Sequence, residues 1–240
     1  MPQINRKHLT VLLGMVLLML MGGLVRMSSL AIDKRADQEL LRRCQAAMSD
    51  QLDEIRAGKI DCLVNPAPEY FNELLADAAC KANLKTIYLG CDVSDPRLAQ
   101  LRKLPNLKCI VFFWTENPDI FLEHIAGLSS IQELCFERSS VSRKGIEHIA
   151  SLPNLKSLCL PLYNLQPKDL ENLKNIPMLH NLVLTHVPRD NKLIPILKSL
   201  PHLRNLNINC VETKGEDKDF DAMLKNALPD CICKIKTVDG

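Results

Sequence analysis

Six short apolar triads recur along the chain in the form apolar-x-x-apolar-x-apolar. They are Leu84, Ile87 and Leu89; Leu107, Ile110 and Phe112; Ile131, Leu134 and Phe136; Leu155, Leu158 and Leu160; Leu179, Leu182 and Leu184; and Leu203, Leu206 and Ile208. Each triad follows the previous one by 23 positions once and by 24 thereafter. The last two members are one residue apart, the period of a strand with one buried face. Two further apolar rows keep the same step. One is Leu98, Leu122, Ile146, Leu170 and Ile194; the other, three residues on, is Leu101, Ile125, Ile149, Leu173 and Leu197. A spacing of three places both rows on one side of a short helix. Pro105, Pro153, Pro177 and Pro201 stand between these rows and the next triad, where proline stops a helix. Each unit therefore predicts a strand, a turn, and a helix that folds back on the strand.

One such unit cannot bury its triad alone. Stacking covers each triad with its neighbours and pairs the strands side by side. The predicted fold class is α/β: a solenoid with a short parallel sheet on its concave face, helices on its convex face and right-handed connections. Six strands at about 4.8 Å make an array on the order of 30 Å long. KIDCLV (59–64) is expected to form a degenerate first strand. ALPDCICKI (227–235) is expected to form the last one, with Cys231 and Cys233 replacing its final two apolar residues on the core face. The repeat domain is placed at residues 59–240.

The N-terminus has a different pattern. Arg6 and Lys7 precede an uncharged apolar run from Leu9 to Val25, closed by Arg26. A basic start followed by an apolar helix is the form of a signal anchor or signal peptide. Residues 1–31 are assigned to it, with 9–25 as a single membrane pass. The repeat domain is then expected on the non-cytoplasmic side; export after cleavage near Ala31 is the alternative. Residues 32–58 read as an amphipathic linker or capping helix. Leu40, Cys44, Met48 and Leu52 recur every four residues, Ile55 follows, and Gly58 stops the helix. Its apolar stripe either covers the open end of the stack or forms a dimer seam.

Composition narrows the function classes. The chain carries 30 basic and 28 acidic residues, a net charge of +2, so no basic stripe points to nucleic acid. Aromatics are 4% of residues, so the core must be mainly aliphatic. The ten cysteines lack the spacing of a small disulfide scaffold. Most fall where a repeat takes a small apolar or strand residue, which leaves thiols and one or more disulfides both open.

The unit SSVSRKGIEHIASLPNLKSLCL (139–160) resembles the repeats of bacterial, planctomycete-type leucine-rich repeat proteins. Those run Thr-x-Val-Thr-Asp-x-Gly-Leu, then a helix, then Leu-x-x-Leu-x-Leu. Ser140, Val141, Ser142, Gly145 and Ile146 match that turn, and ALPDC (227–231) is similar to the Leu-Pro-Asn-Cys ending of such arrays. The resemblance covers roughly residues 74–235 and departs at WTENPDIF (114–121) and HVPRDNKL (186–193), where the turn lacks glycine. It implies a binding scaffold and no enzymatic activity.

Candidate chemistry is sparse. Cys135 and Cys159 share one repeat position on adjacent strands and point away from the core. They read as a disulfide or metal pair, or as two small surface residues. His124 and His148 each follow a glutamate and stack 24 residues apart, but their equivalents vary, which reads as a solvent-facing slot. No Gly-x-Ser-x-Gly turn, phosphate-binding glycine loop or His-Glu-x-x-His occurs. No metal or cofactor is expected.

The residues between and after the triads line the concave sheet. Those chosen as a binding surface for an unknown protein ligand are Tyr88, Val111, Phe113, Glu133, Glu137, Asn181, Asn205 and Asn207. Tyr88, Val111 and Phe113 form an apolar patch in the N-terminal half, and the C-terminal half is polar and uncharged. Trp114, the one tryptophan, is either convex-side filler or an exposed anchor. Self-association as a structural envelope protein is the alternative function.

Overall fold

A computed structural model of the chain describes residues 49–64, 71–211 and 219–238. The apolar run at 9–25, the rest of residues 1–31 and the linker up to residue 48 lie outside the described residues. Among the described residues no helix is long and apolar enough to cross a membrane.

Eight parallel strands form one sheet in chain order. They are β1 (Cys62–Val64), β2 (Thr86–Asp92), β3 (Cys109–Glu116), β4 (Glu133–Glu137), β5 (Ser157–Pro161), β6 (Asn181–Val187), β7 (Asn205–Val211) and β8 (Ile232–Val238). KIDCLV thus supplies β1. The middle members of the triads form an unbroken register row: Leu63, Ile87, Ile110, Leu134, Leu158, Leu182, Leu206 and Cys233. The residues of this row from Leu63 to Leu206 are buried. A second row runs through Leu89, Phe112 and Phe136, and then through Leu160, Leu184, Ile208 and Ile235. Phe112 stacks on Phe136 with ring centroids 4.7 Å apart and meets Phe121 edge-on at 5.5 Å. Few aromatics thus go a long way, because three of the six phenylalanines sit at one spot in the core.

The helices return over one face of this sheet. Both predicted rows, from Leu98 to Ile194 and from Leu101 to Leu197, are buried. The connectors are not uniformly α-helical. Those at Asp119–Ile125, Arg143–Ala150, Leu193–Lys198 and Phe220–Ala227 are α-helices, whereas Pro96–Lys103 and Pro167–Asn175 are 3-10 helices. In both 3-10 segments proline sits at the first position, where its fixed φ suits a helix start. A three-residue turn also puts Leu98 over Leu101, and Leu170 over Leu173, more directly than an α-helix would.

Gly145 shows what the turn glycine is for. Its φ is not positive; a Cβ there would lie 2.2 Å from Asp119 Oδ1 and 2.5 Å from Val141 Cγ1. Glycine is required by close approach between units. The same Asp119 accepts from the backbone N–H of Ser142 at 3.2 Å and from its hydroxyl. Ser142 in turn caps its own helix by accepting from Lys144 N–H at 3.1 Å.

The two ends of the sheet differ. At β1, residues 49–56 are helical, and Leu52 and Ile55 are fully buried. Asn83 donates to the Ile55 carbonyl at 2.9 Å, the Cys80 thiol to that of Leu52 at 3.5 Å, and Val64 N–H to the Gln51 side chain at 3.0 Å. At β8 the register step lengthens. Asn205 pairs with Ile232, 27 residues on, where every earlier pair is 23 or 24 apart. The longer step corrects the sequence reading of the last strand. Cys233 and Ile235, not Cys231 and Cys233, continue the core rows, and Cys231 precedes the strand. Burial pushes the Cys231 thiol up to about 12, helped by Cys233 beside it. Strand order, register and the helix-backed face together make the architecture α/β and leucine-rich-repeat-like.

Candidate binding face and its aromatic rim

Alternation along each strand sends every second side chain to the face without helices. One row there reads Thr86, Cys109, Glu133, Ser157, Asn181, Asn205, Ile232. Its neighbour reads Tyr88, Val111, Cys135, Cys159, Val183, Asn207, Lys234. All eight residues chosen from the sequence lie on this face. Tyr88 and Val111 are register partners, as are Phe113 and Glu137, and the Asn205 amide donates to Asn181 Oδ1 at 2.7 Å. Tyr88 on β2 and Asn205 on β7 are five strands apart, so the set is a surface and not a single pocket. Glu133 and Glu137 are exposed; the other six are half-buried.

Burial sets the electrostatics of the N-terminal half. It pushes the Tyr88 hydroxyl up to about 12, with Cys62, Cys109, Glu137 and Cys135 adding to the effect. It pushes the Cys109 thiol up to about 12 as well, with Glu133 opposite. Both groups are therefore neutral at physiological pH. Among the described residues no disulfide forms, and Cys62, Cys80, Cys109, Cys135, Cys159, Cys231 and Cys233 are thiols. Among the described residues no three His, Cys, Asp or Glu side chains converge as metal ligands would. Glu123 and Glu147, beside the two stacked histidines, pair with Lys144 at 3.7 Å and Arg143 at 3.6 Å. His124 and His148 are both half-buried, and His148 Nε2 is enclosed with no partner among the described residues.

Beyond Trp114, the rim at the C-terminal ends of the strands carries no residue-type pattern in the sequence. Trp114, Arg138 and His186 have φ of 53°, 51° and 56°, the left-handed region that non-glycine residues seldom adopt. They occupy one repeat position, 24 and then 48 residues apart. The left-handed residue turns the chain so that the next side chain points inward: Thr115, Ser139 and Val187 are all buried. Ser139 Oγ accepts from Thr115 N–H at 2.9 Å and donates to the Glu137 carbonyl at 3.1 Å. Thr115 Oγ1 donates to the Leu89 carbonyl at 3.1 Å. The two Thr115 bonds run from one unit to the next and tie the Trp114 turn to its neighbours. At His186 the register with β7 slips by one residue, a bulge that throws the side chain outward.

What the turns present is aromatic and cationic. Trp114 is 46% exposed, which settles its two readings in favour of the exposed one. It stacks on Phe113, centroids 5.7 Å apart, and the Arg138 guanidinium lies 5.3 Å from its ring centroid. Tyr163, 44% exposed, packs on the His186 ring at 4.1 Å and its hydroxyl meets Nε2 at 3.1 Å. Burial, and then the charge of Arg138, hold the His186 imidazole below its usual range, so it is neutral at pH 7. The signal available in the sequence was the absence of glycine at 114–121 and 186–193. That glycine is the equivalent of Gly145, seven residues past the left-handed position, and the Arg138 turn keeps it, so its absence flags two of the three turns without marking the strained residue itself.

No family model matches the chain, and no curated protein matches it. Among solved structures it is similar to a plant peptide hormone receptor, RGFR1, in complex with RGF2. Identity is 15%, the TM-score is 0.35, and the match covers 67% of this chain and 29% of that one. The chain thus spans less than a third of the length of that receptor chain. The fold assignment rests on the strand order and registers described above.

Proposed function

We propose that this chain is a membrane-anchored leucine-rich-repeat module that binds a protein partner through the helix-free face of its sheet and catalyses no reaction. The observation that carries this reading is the rim. Three equivalent turns spend backbone strain to hold Trp114, Arg138 and His186 outward beside Phe113 and Tyr163. Strain of about 1–3 kcal/mol per residue persists where the surrounding structure over-determines it, and such positions cluster at functional sites. Exposed Trp, Tyr and Arg are also the side chains that dominate binding energy at protein interfaces. The rim continues the patch of Tyr88, Val111 and Phe113. On this reading the 24-residue units are of the bacterial, planctomycete-type kind. Residues 9–25 anchor the chain, and the repeat domain lies on the non-cytoplasmic side.

The test is cross-linking in the native membrane with the full chain and with Trp114→Asp/Tyr163→Asp. Loss of the captured proteins from the double variant, with its thermal unfolding unchanged, is the expected result. An identical captured set would place recognition elsewhere.

A second reading, self-association, is favoured by β8. Ile232 is 63% exposed on that strand, whose outer edge pairs with no other described strand. Light scattering on the full chain and on Ile232→Lys separates the two readings. A dimer that becomes a monomer in the variant supports self-association.

A further inference from the structure

Sulfur recurs on the helix-free face. Cys109 lies in one of its rows, and Cys135 and Cys159 lie in the other. Cys62 shares a register position with Thr86, which pairs with Cys109. Among the described residues, Cys135 on β4 and Cys159 on β5 are the only two cysteines that are direct register partners on adjacent strands. Adjacent strands lie about 4.8 Å apart, inside the roughly 4.4–6.8 Å Cα separation over which a disulfide closes. Strand geometry alone would leave the two side chains standing side by side. Here both stand on the helix-free face of directly paired strands, each the other's nearest cross-strand neighbour in the register. Both residues are half-buried, so a small reagent reaches them while bulk solvent is limited.

The thiols on this face are not equivalent. Burial raises Cys62 and Cys109. Cys135 is raised by its hydrogen bond to Cys159 and by burial. Cys159 is shifted down by that same bond, against the effect of its own burial. One member of the pair is thus the better nucleophile, and the other holds its proton next to it.

We propose that Cys135 and Cys159 form a reversible modification site, a dithiol that exchanges with a low-molecular-weight disulfide to close a bridge across two repeats. In the first step Cys159 loses its proton and its sulfur attacks one sulfur of the external disulfide. That S–S bond breaks, a mixed disulfide forms, and the departing thiolate takes up a proton. In the second step Cys135 loses its proton and attacks the Cys159 sulfur, releasing the second external thiol. Two protein thiols are oxidised to one disulfide, and one external disulfide is reduced to two thiols. The bridge needs no change of strand register, since the partners are already opposite each other. It does not depend on what binds the face.

The test uses the reduced full chain equilibrated in buffers of graded glutathione to glutathione-disulfide ratio. Remaining thiols are alkylated under denaturing conditions and the peptides mapped. The expected result is a Cys135–Cys159 cross-linked peptide that grows with the oxidising ratio and reverts with dithiothreitol, while Cys62 and Cys109 stay alkylated. Cys135→Ser should accumulate a glutathione adduct on Cys159, because the resolving thiol is gone. Cys159→Ser should form an adduct on Cys135 at least about tenfold more slowly. Alkylation of both residues at every ratio, or a bridge from either one to a different cysteine, overturns the proposal. Equal adduct rates in the two serine variants overturn the order of attack.

Discussion

On the helix side of the sheet, the row from Leu63 to Cys233 holds leucine, isoleucine or cysteine at all eight strands. One residue further along each strand, on the opposite side, the row from Val64 reads Tyr88, Val111, Cys135, Cys159, Val183, Asn207 and Lys234. The backbone is the same and the constraint is not. A side chain in the first row must fit between identical neighbours in the units before and after it. A side chain in the second row has a neighbour on each side and open space above. Repetition therefore marks where the array is held together, and variation marks where it can differ from any other array.

The comparison predicts that substitutions on the helix side act on stability and those on the rim do not. Leu158→Ala, in the middle of the core row, should cost about 2–5 kcal/mol in urea unfolding; a loss under about 1 kcal/mol would mean that the row is not a shared core. Gly145→Ala should cost about 1–3 kcal/mol, because its Cβ would strike Asp119 and Val141. Ser139→Ala leaves the buried Thr115 N–H without its acceptor. It should cost on the order of 1–3 kcal/mol and should loosen the Trp114 turn, read as faster hydrogen exchange at Thr115. Arg138→Gly should reverse the sign. Glycine accepts a φ of 51° without the Cβ penalty, so stability should hold or rise by up to about 1 kcal/mol while partner capture falls. A large destabilisation there would make the rim structural.

The smallest effects are pH-dependent. The Asp77 carboxyl is held at about 2, first by the Arg56 side chain and then by the Cys80 N–H. Its folded value lies below its unfolded one, so this contribution is present above about pH 4 and is lost as pH falls toward 2. An acid titration should show it, and Asp77→Asn should flatten that part of the curve. The His186 value is also depressed. Its contribution is therefore present above the unfolded histidine range and lost below it, which proton NMR of the imidazole would detect.

The core was legible because the rule that makes it is one-dimensional. A fixed step of 24 copies Leu134, Leu158 and Leu182 onto one another without reference to the rest of the chain. The helix-free face was legible in outline for the same reason, since alternation assigns Tyr88, Val111 and Phe113 to it. The rim was not. Trp114, Arg138 and His186 differ in size, charge and chemistry, so no residue-type ladder connects them. What they share is a backbone angle, accompanied at Trp114 and Arg138 by the Thr115 and Ser139 bonds and at His186 by the bulge against β7. The last strand was misread by its register because the step to it is 27 and the pattern gave no warning of the change.

Sheet order equal to chain order also has a kinetic meaning. No described strand pairs with a partner further along the chain than the next strand, so no long loop must close before a contact forms among them. As the chain is synthesised, β2 finds β1 complete, β3 finds β2, and the growing end is the one new edge at each stage. Folding of this kind can follow synthesis unit by unit, and a stall leaves a shorter array in place of a tangle.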